Sequence, residues 1–472
     1  MASIDLDLCY MTATEALAQF KAKKLSPVEL MKSLIARSKE VNPKLNALTY
    51  TFYDRAIDQA KKAEARYMKG RPRPLEGIPV AIKDFHCVKG ETTTLGSKTL
   101  KDFRPNYSAP TVERLFAAGA IMHCRTTTPE FAHAGTCHSP LWGITRNAWN
   151  QEYGPGGSSG GAGSAVASGM TTIADGTDGG GSIRIPSSAS GIFGYKPPFG
   201  RNPLDRDHPL ETILHYGPMT RSVADAALMQ NVMSGAHPGD ICSLREKITI
   251  PETHENIKGW KVALSMDLGY YEVDSEVQKN TREAAKVFKG LGCKIEEVNL
   301  GWNYGSLDAW STHWEGLFAA LCGDLLPRWQ YELDPFVVKL LEKGMGHSAM
   351  RLYRCNLVRA EMYKTLAPIL DQYNILICPT LAVPAVKADH KNDDPDFTIN
   401  GKKISAHVQW VMTYPFNLVG QCPVATVPSG FASSGVPTGL QIVGKTYDDL
   451  SVFRAATAFE AAKPWRGERP QL

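Results

Sequence analysis

At 472 residues, with 43% hydrophobic and 21% charged residues, the chain has the make-up of a soluble globular protein and the length to build a large core. Its 52 basic and 48 acidic residues leave a net charge of +4 spread along the sequence, so no basic block marks it for nucleic acid. No apolar run approaches the ~20 residues of a membrane-spanning helix, the N-terminus MASIDLDLCYM has acids where a secretory leader has basic residues, and ten scattered cysteines include no Cys-x-x-Cys pair; a cytoplasmic location with reduced thiols is expected.

Thr12 with Glu15, and Ser26-Pro27 with Glu29, each set a hydroxyl and a carboxylate where they can satisfy the free N–H groups of a helix start, predicting two N-terminal helices. A third helix, about Tyr53 to Lys69, is rich in Ala, Lys and Glu and closes on Gly70. Residues 1–70 are expected as a helical segment packed on a main domain of residues 71–472.

From Gly77 the alternation of an α/β fold begins: an apolar run GIPVAIKDF ending on Lys83, a helix from Thr111 to Ala118, and a strand Ala120 to Cys124. A lysine at the end of a buried strand is unusual, and desolvation lowers the pKa of such an amine from its ordinary value of about 10.4. The loop TTTPEFAHAG follows; loops at strand ends carry ligand contacts in such folds, so Glu130, Phe131, Ala132 and His133 are candidates for lining a site.

Glycine concentrates between Tyr153 and Lys196 far beyond its average usage of about 7%. Gly154 to Gly163 precedes a small-residue helix (Ala162 to Ser168), and Gly176 to Gly181 follows a short buried strand (Thr171 to Ala174). Ser158 and Ser159 lie in the first run and Ser182 ends the second. The N–H groups of Gly179, Gly180, Gly181 and Ser182 can curl into a nest that donates to an oxyanion, so a nucleophile and its oxyanion hole would share one turn. A phosphate loop is disfavoured by the lack of a Gly-Lys pair, and a dinucleotide fingerprint by Val166 where a third glycine belongs. Gly157 to Gly161 matches Gly-x-Ser-x-Gly, which offers Ser159 as a competing nucleophile if a buried strand leads into it. Asp178 and Arg184 bracket the second turn and are expected as a buried pair that holds its shape.

Residues 201–217 are polar and loop-like. Lys261 to Met266, Ser275 to Leu291 and Cys293 to Leu300 predict a β-α-β unit. A helical insertion over 301–372 then brings Trp302, Tyr304, Trp310, Trp314, Phe318, Trp329 and Tyr331, an aromatic set expected in the core or along an apolar substrate channel. Residues 381–405 form the longest structureless stretch and a candidate lid. Strands at Val424 to Val427 and Leu440 to Val443 and a helix from Asp449 to Ala462 close a single large α/β domain with a central mixed sheet flanked by helices.

GIPVAIKD, PGGSSGGAGSAVASG and GTDGGGSIRIPSSASGIFGYKP, in this order and spacing, resemble the amidase signature family of Ser-cisSer-Lys hydrolases, as do TTPEFAHAGTCHSPLWGITRNAWN, GPMTRSVADAALM and PFNLVGQCPVATVPSGF. The resemblance implies Lys83 as base, Ser158 as the relay serine behind a cis peptide bond, Ser182 as nucleophile, and an oxyanion hole on Gly179, Gly180, Gly181 and Ser182. It brings the loop with Ala132 and His133 beside the reacting centre as substrate contacts; supporting roles are expected for Ser159, Asp178 and Arg184, and no cofactor or metal is expected. The expected activity is cleavage of C–N bonds in small-molecule amides through an acyl-enzyme, extending to esters and carbamates. An A-type subunit of a glutamine-dependent amidotransferase, and a non-catalytic binding protein on the same fold, are the alternatives. One departure stands out: the family usually has Thr or Ile where Gly179 stands, which would loosen the turn or open room beside the reacting carbonyl.

Overall fold

Eleven strands form one mixed sheet in the computed structural model, which describes residues 4–205 and 210–472. They are β1 (Leu48–Thr51), β2 (Pro79–Lys83), β3 (Ile121–Thr126), β4 (Ile173–Asp178), β5 (Phe193–Lys196), β6 (His215–Thr220), β7 (Lys261–Leu264), β8 (Lys294–Glu297), β9 (Ile375–Pro379), β10 (Val424–Phe431) and β11 (Pro437–Val443). Their order across the sheet is β1-β3-β2-β4-β6-β5-β10-β11-β9-β7-β8. β2 runs parallel to β3 and β4, and β7 runs parallel to β8 and β9. The remaining neighbours are antiparallel. The α/β class and the mixed sheet are as the sequence predicts.

Burial explains why the central strands read as they do. Every residue of β2 and β4 is buried, as is every residue of the helices Gly160–Ala167 and Arg184–Ser190 that pack beside them. A strand covered on both faces has no polar alternation to show, hence the unbroken run PVAI before Lys83. Helix Gly160–Ala167 is made of Gly, Ala, Ser and Val because there is no room for more: a Cβ on Gly161 would lie 2.4 Å from both the amide nitrogen and Oγ1 of Thr127.

Both N-terminal capping boxes form, opening helices Ala13–Lys21 and Pro27–Leu45. The N-terminal segment, expected as helix, also supplies β1, which pairs with β3 at the sheet edge. β4 starts at Ile173, two residues into the apolar run that predicts it, and continues through Gly176, Thr177 and Asp178, residues that read as turn in the sequence; pairing along all six positions with β6 keeps them in the ladder. The polar stretch 201–217 includes 206–209, which lie outside the described residues, and its last three residues belong to β6. Within 381–405 the pairs Thr398–Ile399 and Lys402–Lys403 form a small ribbon, and Gly154 N–H donates to the Val386 carbonyl at 3.0 Å. Val386 to Ala388 of that stretch pack beside Gly154 of the first glycine run.

Candidate active site

β2 closes on Lys83, which is fully buried. Its main-chain N–H donates to Asp175 Oδ1 of β4 at 2.7 Å, and its Nζ lies 2.7 Å from both Ser158 Oγ and Thr177 Oγ1. Burial pulls the Lys83 amine down from 10.5 to about 7, against the opposing effect of Cys137, Asp175 and Asp178. An amine in that range is partly neutral at neutral pH and can accept a proton as well as return one. Burial also pushes the Asp175 carboxyl up to about 7, so this carboxylate compensates the lysine only in part.

The peptide bond between Gly157 and Ser158 is cis. Gly157 has no room for a side chain, since a Cβ there would fall 2.0 Å from the Thr136 carbonyl oxygen. Ser159 is tied to the framework instead of facing the cavity: the Thr177 N–H donates to Ser159 Oγ at 3.3 Å, and the Ser159 N–H donates to the Ser182 carbonyl at 3.2 Å. The chain leading into Gly157 is irregular, not a strand, so the context that a Gly-x-Ser-x-Gly elbow needs is missing.

Beyond β4 the turn Gly179–Ser182 leads to helix Arg184–Ser190. All four of its carbonyls are taken. Trp310 Nε1 donates to Gly179 O at 3.0 Å and Thr413 Oγ1 to Gly180 O at 2.6 Å, while the Ile185 N–H donates to Gly181 O at 2.7 Å and Ser159 holds Ser182 O. Gly181 sits at φ +129°, a conformation left to glycine. Beneath the turn Arg184 grips Asp178 with two hydrogen bonds, Nε to Oδ2 at 3.0 Å and a terminal nitrogen to Oδ1 at 2.8 Å. Its other donors reach Thr413 O, Gln441 Oε1 and Asn417 Oδ1, and Asn417 Nδ2 donates back to Asp178 Oδ1 at 2.8 Å. Burial alone would raise the Asp178 carboxyl; the Arg184 charge and these hydrogen bonds outweigh it and hold the group below its ordinary value.

Ser158, Thr177, Gly179 and Ser182 line one end of a cavity of about 370 Å³. Among the described residues no hydrogen bond joins the Ser182 hydroxyl to Ser158; such contacts commonly tighten only when substrate is bound. The rest of the lining is largely apolar, with Phe85, Leu95, Phe131, Leu214, Trp314 and Phe318 among its walls and Asp205 and Asp324 among its few charges.

The insertion aromatics divide. Trp314 and Phe318 line the cavity, and Trp310 is buried behind Trp314 with the two rings stacked 5.2 Å apart at 18°. Trp302 packs on Phe416 in the core, whereas Tyr304 and Tyr331 are exposed. The space that a side chain at position 179 would fill is occupied by Trp314, whose Cζ3 would lie 2.7 Å from a Cβ on Gly179. The departure from the family pattern at Gly179 thus leaves neither a looser turn nor extra room.

Phe131 and Ala132 both adopt left-handed backbone (φ 51° and 61°), which costs of the order of 1–3 kcal/mol each in residues with a side chain. Ala132 lines the cavity with Phe131. The His133 ring is buried toward Phe336, its Nδ1–H donates to the Glu130 carbonyl at 2.9 Å, and burial lowers its pKa. Glu130 lies behind the loop, accepting from Ser97 Oγ at 2.7 Å and the Asp334 N–H at 2.6 Å, and burial raises its carboxyl to about 7. Sequence reasoning passed over Thr177, Thr413 and Asn417, and placed Trp310 only in the aromatic set of the insertion, without a link to the turn. Thr177 stands inside the glycine-rich stretch; Thr413 and Asn417 come from distant segments and give no local signal.

Residues 29–453 match the family model for amidases, and the chain belongs to the Amidase family. The acylamidase of Rhodococcus erythropolis is 34% identical over 98% of both chains. The A-type subunit of glutamyl-tRNA(Gln) amidotransferase from Geotalea daltonii is 32% identical over 99% of this chain and 100% of that one. Among solved structures, a bacterial aryl acylamidase of the amidase signature family superposes with a TM-score of 0.91 at 32% identity, covering 98% of this chain and 99% of that chain. A 6-aminohexanoate cyclic dimer hydrolase gives 0.86 at 26% identity, covering 98% of this chain and 99% of that chain.

Proposed function

We propose that this chain hydrolyses amides carrying a bulky apolar group, with Ser182 as nucleophile, Ser158 as relay and Lys83 as base. The observation that carries the reading is a fully buried lysine, its amine pulled down to about 7, in hydrogen-bond contact with a serine at the edge of the cavity that Ser182 lines. Ser182 Oγ attacks the carbonyl carbon while its proton passes to Ser158 and the Ser158 proton to neutral Lys83. The negative oxygen rests on N–H groups of Gly179 to Ser182. The proton returns through Ser158 to the leaving nitrogen, the C–N bond breaks, and the acyl-enzyme remains. Water then attacks the ester carbonyl, passing its proton along the same relay; the Oγ–acyl bond breaks, the relay returns the proton to Ser182 Oγ, and the acid leaves. Ala132 contributes to the substrate wall; His133 acts through its backbone, and Ser159, Asp178 and Arg184 hold the turn.

The acylamidase and aryl acylamidase relatives favour an amide with an apolar or aromatic part, and so does the lining of the cavity. Esters and carbamates present the same carbonyl and are expected as further substrates. The amidotransferase relatives keep a second reading in view, but an apolar cavity offers little to a glutamine side chain. Purified protein tests this directly. An aryl amide should exceed acetamide in kcat/KM by at least tenfold, which is about 1.4 kcal/mol of transition-state binding. A fluorophosphonate probe should label wild type and Ser159→Ala but not Ser182→Ala. Glutamine as the preferred substrate would favour the amidotransferase reading, and no turnover with any amide would favour the binding protein.

A further inference from the structure

Two indoles one turn apart on helix Gly305–Cys322 hold backbone carbonyls on two segments at the reacting end of the cavity. Trp310 Nε1 holds the Gly179 carbonyl at 3.0 Å, and Trp314 Nε1 holds the His133 carbonyl at 3.2 Å, next to the cavity-lining pair Phe131 and Ala132. The rings stack on each other, and Trp314 fills the place of a side chain at Gly179. The next carbonyl, Gly180 O, is held by Thr413 Oγ1 at 2.6 Å, and a Cβ on Gly181 would collide with that oxygen at 1.9 Å. Two consecutive peptide planes of the glycine turn are thus set by side chains from outside the glycine-rich stretch.

We propose that Trp310 and Thr413 are positioning residues for the oxyanion turn, and that Gly179 and Trp314 form a matched pair that keeps it in place. The physical ground is that a peptide plane has one orientation. A carbonyl held on the outside aims the N–H at the other edge of the same plane, and three glycines in a row have no side chains of their own to fix their planes. An oxyanion donor acts only if it is aimed beforehand, because the gain arises where charge develops in the transition state and not in the bound substrate. Loss of the outer hydrogen bond therefore falls on kcat and leaves KM little changed.

This inference rests on the reading of Ser182 as nucleophile, and the test separates the two. Trp310→Phe keeps an aromatic ring in the stack and removes the N–H; Thr413→Val keeps the shape and removes the hydroxyl. Each should lower kcat on an aryl amide about tenfold or more, change KM less than twofold, slow fluorophosphonate labelling of Ser182 in proportion, and leave the pH at which activity falls off unmoved. Gly179→Ala should show the same kcat loss, and Gly179→Ala combined with Trp314→Phe, which takes away Cζ3 and Cη2 of the six-membered ring, should regain at least threefold. Unfolding temperatures identify any variant that is not folded, and the remaining variants decide. Unchanged kcat in Trp310→Phe and Thr413→Val, a loss confined to KM, or simple additivity in the 179/314 pair overturns the inference while leaving the nucleophile reading intact. Full amide turnover in Ser182→Ala overturns the reading, and the inference with it.

Discussion

The proposed mechanism asks Lys83 to change charge in a place that disfavours charge. Because its amine titrates near 7 in the folded protein and at 10.5 in the reference state, the folded chain binds fewer protons between those values, so the contribution of this group to stability rises with pH across that window. The catalytic consequence has the same sign. In the proposed role of base Lys83 must be neutral, so kcat/KM should fall as pH drops below about 7, with a slope approaching one on a logarithmic scale. Lys83→Ala should lose about 10²–10⁴ in kcat on an aryl amide, and Lys83→Arg should not recover it, since guanidinium keeps its proton. The matched ester should lose less, because its leaving group needs the returned proton less than an amine does. Steady-state rates for the three proteins on one amide and one ester check this; strong amidase activity in Lys83→Arg would mean that the site needs a fixed charge and not a proton carrier.

Among the elements, helix Gly160–Ala167 shows how close packing constrains a glycine. It lies against β2, β3 and β4 with glycine and alanine on its faces, and Gly161 is squeezed between Thr127 and the Ala47 carbonyl, where a Cβ would sit 2.4 and 2.5 Å away. Gly161→Ala should destabilise by about 1–3 kcal/mol, as overpacking does. Gly290, the last residue of helix Ser275–Gly290, has nothing within 4 Å of the point where a methyl would stand, and Gly290→Ala should be neutral or slightly stabilising. Denaturant midpoints for the two variants against wild type make the comparison; equal shifts would mean that the helix does not depend on close approach. Both glycines are helical and look alike as letters, which is why the constraint on Gly161 was legible only as an excess of small residues.

Over the whole molecule the ten cysteines are free thiols, eight of them buried and Cys242 and Cys322 half-buried. Cys322 lines the cavity, and burial pushes its thiol up to about 12, whereas Cys242 lies away from the cavity with a smaller upward shift, due first to burial and then to Asp240. A thiol-reactive aromatic disulfide at pH 8 should therefore modify Cys242 first and Cys322 slowly, with all ten reacting after unfolding. A bulky apolar amide bound in the cavity should protect Cys322 and leave Cys242 unaffected. Mass spectrometry of the modified peptides reads the order; rapid reaction of Cys124 or Cys378 in the folded state would contradict the burial pattern.

Short windows of sequence were enough for β2, β3, β7, β10 and β11, though not for β5, β6 and β9, and for the two capped N-terminal helices, the lysine at the end of β2 and the serines beside glycine. Each is written locally, as an apolar run, a cap or a turn residue. The course of β4 past Gly176 was not, because its polar residues stay in the ladder only through pairing with β6, and the place of 381–405 beside Gly154 was not, because it depends on a contact more than 200 positions away. The site divides in the same way. Lys83, Ser158 and Ser182 stand out as letters, but Ser159 and Ser182 differ in what surrounds them: only packing in three dimensions ties one to Thr177 and sets the other on the cavity. Trp310, Thr413, Asn417 and Gln441 reach the turn from 131 to 257 positions along the chain. Their side chains fix peptide planes that glycine leaves free, and that contact exists only once the sheet has brought the segments together.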